Sequence, residues 1–431
     1  MRIRFYGPLI IWGIAIASVP VWLLSYPETT LRHQLKPVHI YGSQIAATIG
    51  FALFALSFVL TVRMPVLERL FGGLDRVYHF HHSIARYAAV LLLIHPVLLA
   101  TRWIPTETER LVWYLFPMHR RLEVNLGSWA LWILLILLLF TLVIKIPYDK
   151  WKISHKFMGV AFILGVWHVH AMGLYGAGSP ALAFYFSVLS VVGIAAWTYK
   201  TLLFDWLVHK DSYVVERVRR LNESVIEIEL RPEDARLDFA PGQFFFFSFR
   251  SDGLSREAHP FTVCQRSESG HITIMVKSLG DYTRGLHERL APGTPALLEG
   301  PYGRFDYRTG GNDQVWIGGG VGVAPFLSWA NTLSEAPRKD FRVDMYYAVN
   351  TAREATHTQV FTELAKNIPS FRFHLIRADE EGFVDASRIP GLADRDIYIC
   401  GPKPMRRALI PALRKYGAPA ARVHYEDFEF T

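Results

Sequence analysis

Cysteine is almost missing from this chain. Cys264 and Cys400 are the only two in 431 residues, too few and too far apart for a disulfide scaffold. Charge is scarce as well, at 19% Asp, Glu, Lys and Arg against about 25% in an average soluble domain. There is no low-complexity tract and no internal repeat, and with 51% hydrophobic residues the chain is not disordered. The net charge of +8 is not gathered into a basic run or stripe, which argues against nucleic-acid binding. The length corresponds to two to four domains at roughly 100–200 residues each. A membrane protein or an unusually apolar globular one remains.

The places where charge is missing separate these two. No Asp, Glu, Lys or Arg occurs from Phe5 to Pro27, from Ile40 to Val62, or from Val124 to Ile144, and an apolar stretch runs from Tyr87 to Thr101 with only His95 in it. A further gap covers Phe157 to Tyr199 and is interrupted by Gly173 to Pro180. A bilayer core takes about 20 helical residues, so the last gap reads as two spans and the total as six. No small-residue cleavage site follows the first span, which reads as a retained anchor rather than a signal peptide. With the N-terminus inside, eleven Lys and Arg flank the inner ends (Arg2, Arg4, Arg63, Arg69, Arg76, Lys145, Lys150, Lys152, Lys156, Lys200, Lys210). Six flank the outer ends (Arg32, Lys36, Arg102, Arg110, Arg120, Arg121). The excess predicts a multi-pass protein of the plasma or bacterial cytoplasmic membrane with both termini cytoplasmic.

After about residue 206 the character changes. Short apolar runs at Tyr213–Val215, Ser224–Leu230, Gln243–Phe249 and His271–Val276 alternate with turn signals, the pattern of an antiparallel β unit. From about residue 310, strand-like runs at Gln314–Ile317, Phe341–Val349, Arg372–Ile376 and Asp396–Cys400 alternate with helical stretches, which predicts an α/β doubly wound domain. The expected domains are therefore 1–206, 207–309 and 310–431.

Ionisable residues inside membrane spans default to functional readings. His81 and His95 are 14 residues apart, about 21 Å and close to four turns of one helix. They share a face, one near each side of the membrane. The fifth span runs in the same direction and carries His155, His168 and His170. His81 can face His155, and His95 can face His168 or His170. Such pairs suit two bis-His haems carrying single electrons; a tetrahedral zinc cannot be shared over that distance. On an ideal helix His168 is about 140° out of phase with His155 and His170 about 60°, so His168 requires a kink or bulge. Phe162 stands about halfway between the two levels.

Three motifs follow in the second half. His259-Pro260-Phe261-Thr262 comes after a Phe-rich strand, and Lys277 with the Gly280-led helix start at Asp281-Tyr282-Thr283 makes an anion site suited to a pyrophosphate. Gly318-Gly319-Gly320-Val321-Gly322-Val323-Ala324-Pro325 joins a strand to a helix, where glycines let a dinucleotide phosphate approach the backbone. The strand Ile397–Ile399 leads into Cys400-Gly401-Pro402.

In this order, behind six helices, these residues resemble the ferric reductase and NADPH oxidase superfamily over nearly the whole chain. Leu74-Asp75-Arg76 with Phe80-His81 is similar to the family's entry to the third helix, and His95 falls at the family spacing. The resemblance implies a six-helix transmembrane haem domain, an antiparallel β-barrel FAD domain and a ferredoxin reductase-like NAD(P)-binding domain. It implies His81, His95, His155 and His168 as ligands of two b-type haems. FAD would be held by His259, Pro260, Phe261, Thr262 (near the flavin N5), Lys277, Gly280 and Thr283. The terminal segment His424–Phe428 resembles the family's aromatic end, with Phe428, or its neighbour Phe430, over the flavin. Gly300, Gly318, Gly319, Gly320, Gly322, Pro325, Cys400, Gly401 and Pro402 would hold NADPH or NADH.

What the resemblance implies is transmembrane electron transfer from cytoplasmic NAD(P)H through FAD and two haems to a small extracellular or periplasmic acceptor. Superoxide-forming members carry a histidine one turn past the outer third-helix ligand, where this chain has Leu99. That difference and the basic loop from Arg102 to Arg121 favour a ferric or other metal chelate over dioxygen. A haem-bearing anchor serving a redox partner protein is the reading of another class. Asn350-Thr351-Ala352-Arg353 after a strand favours NADPH, through a hydroxyl and an Arg for the 2′-phosphate.

Overall fold

The computed structural model describes residues 6–24, 37–101, 103–104, 107–172, 180–233 and 236–426. The chain divides into two compact units, residues 4–207 and residues 208–431.

The first unit is helical. Its elements are α1 (Gly7–Leu24), α2 (Pro37–Val59), α3 (Pro65–Phe71), α4 (Leu74–Thr101), α5 (Thr108–Leu115), α6 (Leu122–Leu142), α7 (Tyr148–Lys156), α8 (Met158–Ala171), α9 (Pro180–Thr198) and α10 (Phe204–Leu207). Among the described residues, five stretches are long and apolar enough to cross a membrane: α1, α2, α4, α6 and Pro180–Leu207. The segment expected as the fifth span is built differently, from α7 and the 14-residue α8. They part at Phe157, whose N–H bonds to the Ser154 carbonyl at 3.0 Å, a tightening of the helix to i→i+3 bonding.

Helix α2 is the hub, packed against α1, α4 and α9; 61% of its apolar window is buried, against 33% or less for the other spans. Lipid supplies no hydrophobic drive between helices, so close approach through small residues must do the work. A side-chain carbon on Gly50 would come within 3.1 Å of Leu91 and Leu92, and one on Gly193 of α9 within 3.2 Å of the Ala55 backbone. An aromatic cluster fills the middle, with Phe162 of α8 at centroid distances of 5.2–5.3 Å from Phe51, Phe54 and Phe58. Phe162 is 1% exposed.

The second unit begins with a barrel of β1 (Asp211–Arg220), β2 (Val225–Pro232), β3 (Phe244–Phe249), β4 (His259–Arg266), β5 (Ile272–Lys277) and β6 (Pro295–Tyr302), with α11 (Asp281–Arg289) between the last two. The barrel is closed and antiparallel in the order β1-β2-β5-β4-β3-β6. Period-2 alternation sends Phe245, Phe247, Phe249, Val263 and Ile274 into its core. Then come β7 (Asp313–Gly319), α12 (Ala324–Glu335), β8 (Arg342–Val349), α13 (Thr358–Asn367), β9 (Phe371–Arg377), α14 (Ala378–Glu381), β10 (Asp396–Cys400), α15 (Lys403–Lys415) and β11 (Val423–Tyr425). These strands make one parallel sheet in the order β11-β10-β7-β8-β9. The order reverses between β7 and β10, which opens a crevice at their C-terminal ends.

A buried ionic cluster ties the strands together away from that crevice. Asp344 of β8 accepts from Arg395 at 2.5 Å, and Arg395 also meets Asp313 at 2.7 Å. Burial pushes the Asp344 carboxyl up, but His374, Arg395 and Arg372 together outweigh it and hold the group below the usual carboxylate range.

Candidate functional site

In the helical unit the structure brings together the four histidines paired from sequence. The imidazole centroids of His81 and His155 are 6.5 Å apart, and those of His95 and His168 are 6.4 Å apart. Two imidazoles on opposite faces of one metal, with bonds of about 2 Å, hold their ring centres roughly 6 Å apart. The break at Phe157 places His155 and His168 on separate helices, so the phase of one ideal helix no longer applies. His170 instead has Nε2 3.4 Å from Ser190 Oγ.

Hydrogen bonding decides which nitrogen of each ring is available. Nδ1 of His81 lies 2.9 Å from the Ser57 carbonyl and Nδ1 of His168 lies 2.6 Å from the Glu123 carbonyl. A carbonyl can only accept, so Nδ1 carries the proton and Nε2 keeps its lone pair, as a metal ligand must. The Ser57 oxygen is open because it sits in the last turn of α2, and the Thr61 amide turns to Phe58 instead. The Glu123 oxygen can be reached because residue 127, one turn on, is glycine: a side-chain carbon there would lie 2.9 Å from the His168 ring. Nδ1 of His95 lies 2.8 Å from Ser43 Oγ and 3.1 Å from the Ser43 carbonyl. Ser43, Ser57, Glu123 and Gly127 were not singled out from sequence; buried small or polar residues at helix-turn spacing in charge-free spans were the available signal. The four residues fit two bis-His haems, and among the described residues no group of three or more His, Cys, Asp or Glu could hold a metal.

At the outer ends, His39 of α2 has Nδ1 3.3 Å from Thr101 Oγ1 of α4, one turn before Ser43. The basic loop is partly neutralised. Arg110 pairs with Glu107 and lies over the Trp103 ring, and Arg121 pairs with Glu123. Arg120 is the one Arg of this loop with no ion pair among the described residues; Arg102 lies outside them.

In the barrel, His259, Pro260, Phe261 and Thr262 form the start of β4, the strand paired with the Phe-rich β3. Thr262 pairs with Phe244, which pairs with Tyr302, so the three share the outer face of the barrel, where all three are buried. Phe261 alternates to the other face and packs against Phe247 in the core. Its side chain therefore points away from the face that carries Thr262. His259 stacks on Tyr282 at 3.7 Å. Thr283 Oγ1 accepts from the Leu279 and Gly280 amides at 2.9 and 3.0 Å; it caps its own helix, and those two amides are already used. Glu426, 4% exposed, reaches Gly303: a side-chain carbon there would be 3.1 Å from Glu426 Oε1. Phe428 and Phe430 lie outside the described residues.

The crevice between β7 and β10 carries the remaining motif residues, and the structure separates the reasons for their glycines. A side-chain carbon on Gly322 would lie 2.6 Å from the Cys400 carbonyl oxygen, and one on Gly319 would lie 2.4 Å from Met405 Sδ and 3.1 Å from Pro402. These glycines, with Gly401, let two loops touch backbone to backbone. Gly320 is different. It has φ +53°, and nothing lies within 4 Å of where its side chain would be, so open space faces a backbone that a phosphate can approach. Lys277, the last residue of β5, lines a small pocket with Gly320, Val321, Tyr347 and Thr356, on the β8 side of this loop. Gly318 pairs with Cys400 across the two strands, and Pro325 opens α12. Gly300 belongs to β6, where Phe245 fills the space of its missing side chain at 2.6 Å; its role there is packing within the barrel. Arg353 is exposed on the turn after β8, and Asn350 holds the Glu354 carboxylate beside it.

Comparison with known proteins agrees with this division. Residues 46–166 match the ferric reductase like transmembrane component, residues 212–306 an FAD-binding domain and residues 316–410 an oxidoreductase NAD-binding domain. Half of this chain is 27% identical to 62% of the propane 2-monooxygenase reductase component of Rhodococcus jostii. Half is likewise 28% identical to 59% of a flavohemoprotein of Halalkalibacterium halodurans. The chain thus spans about 60% of the length of these curated relatives. A solved flavohemoglobin from Malassezia yamatoensis is similar in fold alone, at 16% identity and TM-score 0.51 over 91% of this chain and 98% of that one. With its transmembrane, FAD-binding and NAD-binding components in this order, the chain is a multi-pass membrane protein that belongs to the ferric reductase and NADPH oxidase superfamily.

Proposed function

We propose that the protein is an NAD(P)H- and FAD-dependent oxidoreductase that moves electrons across the membrane to an acceptor on the far side. The supporting observation is the pair of facing imidazoles at each of two levels, with Nδ1 committed in three of the four rings and Nε2 left for iron. In this reading six spans place both termini in the cytoplasm, and domains 1–206, 207–309 and 310–431 carry haem, FAD and nucleotide. When bound, FAD turns a hydride's two electrons into single ones and haem carries them one at a time.

The chain's own residues hold these groups in place. Gly318, Gly319, Gly320, Gly322 and Pro325 with Cys400, Gly401 and Pro402 form the nucleotide crevice, and Gly320 presents bare backbone to a phosphate. Lys277 supplies positive charge for the FAD pyrophosphate, on the side of the barrel that meets Gly320. Thr262, with Phe244 and Tyr302, forms the flavin platform, and His259 and the α11 start flank it. His81 and His155 hold iron on the inner side; His95 and His168 hold it on the outer side.

For the donor, Arg353 and Thr351 are assigned to the 2′-phosphate of NADPH. Arg353→Ala is expected to raise KM for NADPH several-fold and leave KM for NADH unchanged; steady-state kinetics with both donors check this, and equal changes would refute the assignment.

For the acceptor we favour a ferric or other metal chelate, because Leu99 offers no polar group one turn beyond His95. Dioxygen is the second reading, and His39, held by Thr101 at the outer ends of α2 and α4, is the observation that favours it. Ferric-chelate reduction is to be measured beside superoxide dismutase-sensitive dye reduction. Chelate reduction that dismutase does not inhibit is expected; robust superoxide with no chelate reduction would overturn the preference.

A further inference from the structure

The four paired histidines are not held alike. In the outer pair both Nδ1 atoms are bonded, His168 to the Glu123 carbonyl at 2.6 Å and His95 to Ser43 at 2.8 Å. In the inner pair His81 is bonded to the Ser57 carbonyl at 2.9 Å, whereas Nδ1 of His155 is buried with no hydrogen-bond partner among the described residues; its ring stacks on Trp151 instead, at 5.1 Å.

Ser43 differs from the other partners because a side chain, not only a carbonyl, meets the imidazole. The residue is 0% exposed, and its hydroxyl donates to the His95 carbonyl at 2.9 Å. That commits the hydroxyl proton and turns an oxygen lone pair towards Nδ1. An imidazole whose Nδ1–H is drawn towards an acceptor is a stronger electron donor through Nε2. A stronger axial donor stabilises the oxidised iron and lowers its reduction potential.

Resting on the haem reading above, we propose that Ser43 is a positioning residue that makes the outer haem site the lower-potential one, by fixing and polarising His95. The inner site, with one of its two imidazoles unbraced, is then the better resting place for an electron, and the outer site the stronger donor to an acceptor.

The test is a spectroelectrochemical titration of the purified full-length protein, with the outer wave assigned by its loss in His95→Ala. Two resolved waves are expected, the lower one outer. Ser43→Ala is expected to move that wave upward at unchanged haem content, Ser43→Thr to leave it in place, and Ser43→Cys, a weaker acceptor of similar size, to fall between. A single unresolved wave, an outer wave that is the higher one, or a Ser43→Ala protein with an unmoved outer wave overturns the inference while leaving the haem reading standing. A preparation with no haem spectrum overturns both.

Discussion

Replacing His95 with Ala is expected to halve the haem content and to stop reduction of an acceptor on the outer side. NAD(P)H-dependent reduction of a soluble dye at the flavin is expected to continue. The separation follows from the two-unit architecture: His95 sits in the helical unit, and the FAD- and NAD-binding domains lie in residues 208–431. His168→Ala is expected to behave in the same way, because the ring facing His95 at 6.4 Å is the one removed. His170→Ala is expected to keep both haems, since that side chain turns to Ser190. Gly127→Val gives an independent check on the same site without touching a proposed ligand. Its side chain would enter the space of the His168 ring, displace it from the Glu123 carbonyl and weaken the outer haem. Haem is to be counted per chain from the visible spectrum after detergent extraction. An unchanged count in His95→Ala or His168→Ala would remove the outer pair from the path.

The second large effect is expected from Gly322→Val, which should lower kcat/KM for NAD(P)H by roughly 5- to 150-fold, the range that about 1–3 kcal/mol of overpacking corresponds to. The atoms a side chain would strike, the Cys400 carbonyl carbon and oxygen and Gly401 Cα at 2.6–2.7 Å, are all backbone. They cannot swing aside as a side chain can, so the two crevice loops must separate. Gly320→Ala makes the contrast. There the space is open and the left-handed backbone is the obstacle, a cost of about 1–2 kcal/mol. If the Gly320 backbone approaches a phosphate, that variant raises KM more than it lowers kcat. Flavin and haem content are expected to stay at wild-type levels in both, because the clash at Gly322 is confined to Cys400 and Gly401 and the space at Gly320 is open. Loss of flavin from Gly322→Val would show that the damage spreads beyond the crevice.

Much of the architecture was legible because its signals are local. Charge-free runs mark α1, α2, α4, α6 and α9, and alternating or strand–helix patterning marks most of the barrel and the parallel sheet. The histidine pairing was legible as well, since 14 residues on α4 set two levels and two sides. The kink or bulge that His168 requires followed from the helix phase, but its place at Phe157 did not, for Lys156-Phe157-Met158 contains no proline or glycine. Two barrel strands were missed: β4, which carries a proline inside its motif, and β6, which begins with Pro295 and carries Pro301. The partners of the histidines escaped for a different reason. Ser57 and Glu123 act through backbone carbonyls, which have no sequence signature, and Gly127 is explained only by a ring 41 positions later. The same distance problem hid the roles of Gly319 and Gly322. Their place between a strand and a helix suggested phosphate contact, and their close neighbours lie at Cys400 to Met405.

The central claim is that electrons from NAD(P)H reach iron held by His81, His95, His155 and His168. Its most direct test is anaerobic addition of NADPH to the purified full-length protein while visible absorption is followed. The account predicts two b-type haems per chain, both reduced after the flavin. A protein that bleaches its flavin but holds no haem, or holds haem that stays oxidised, would contradict it.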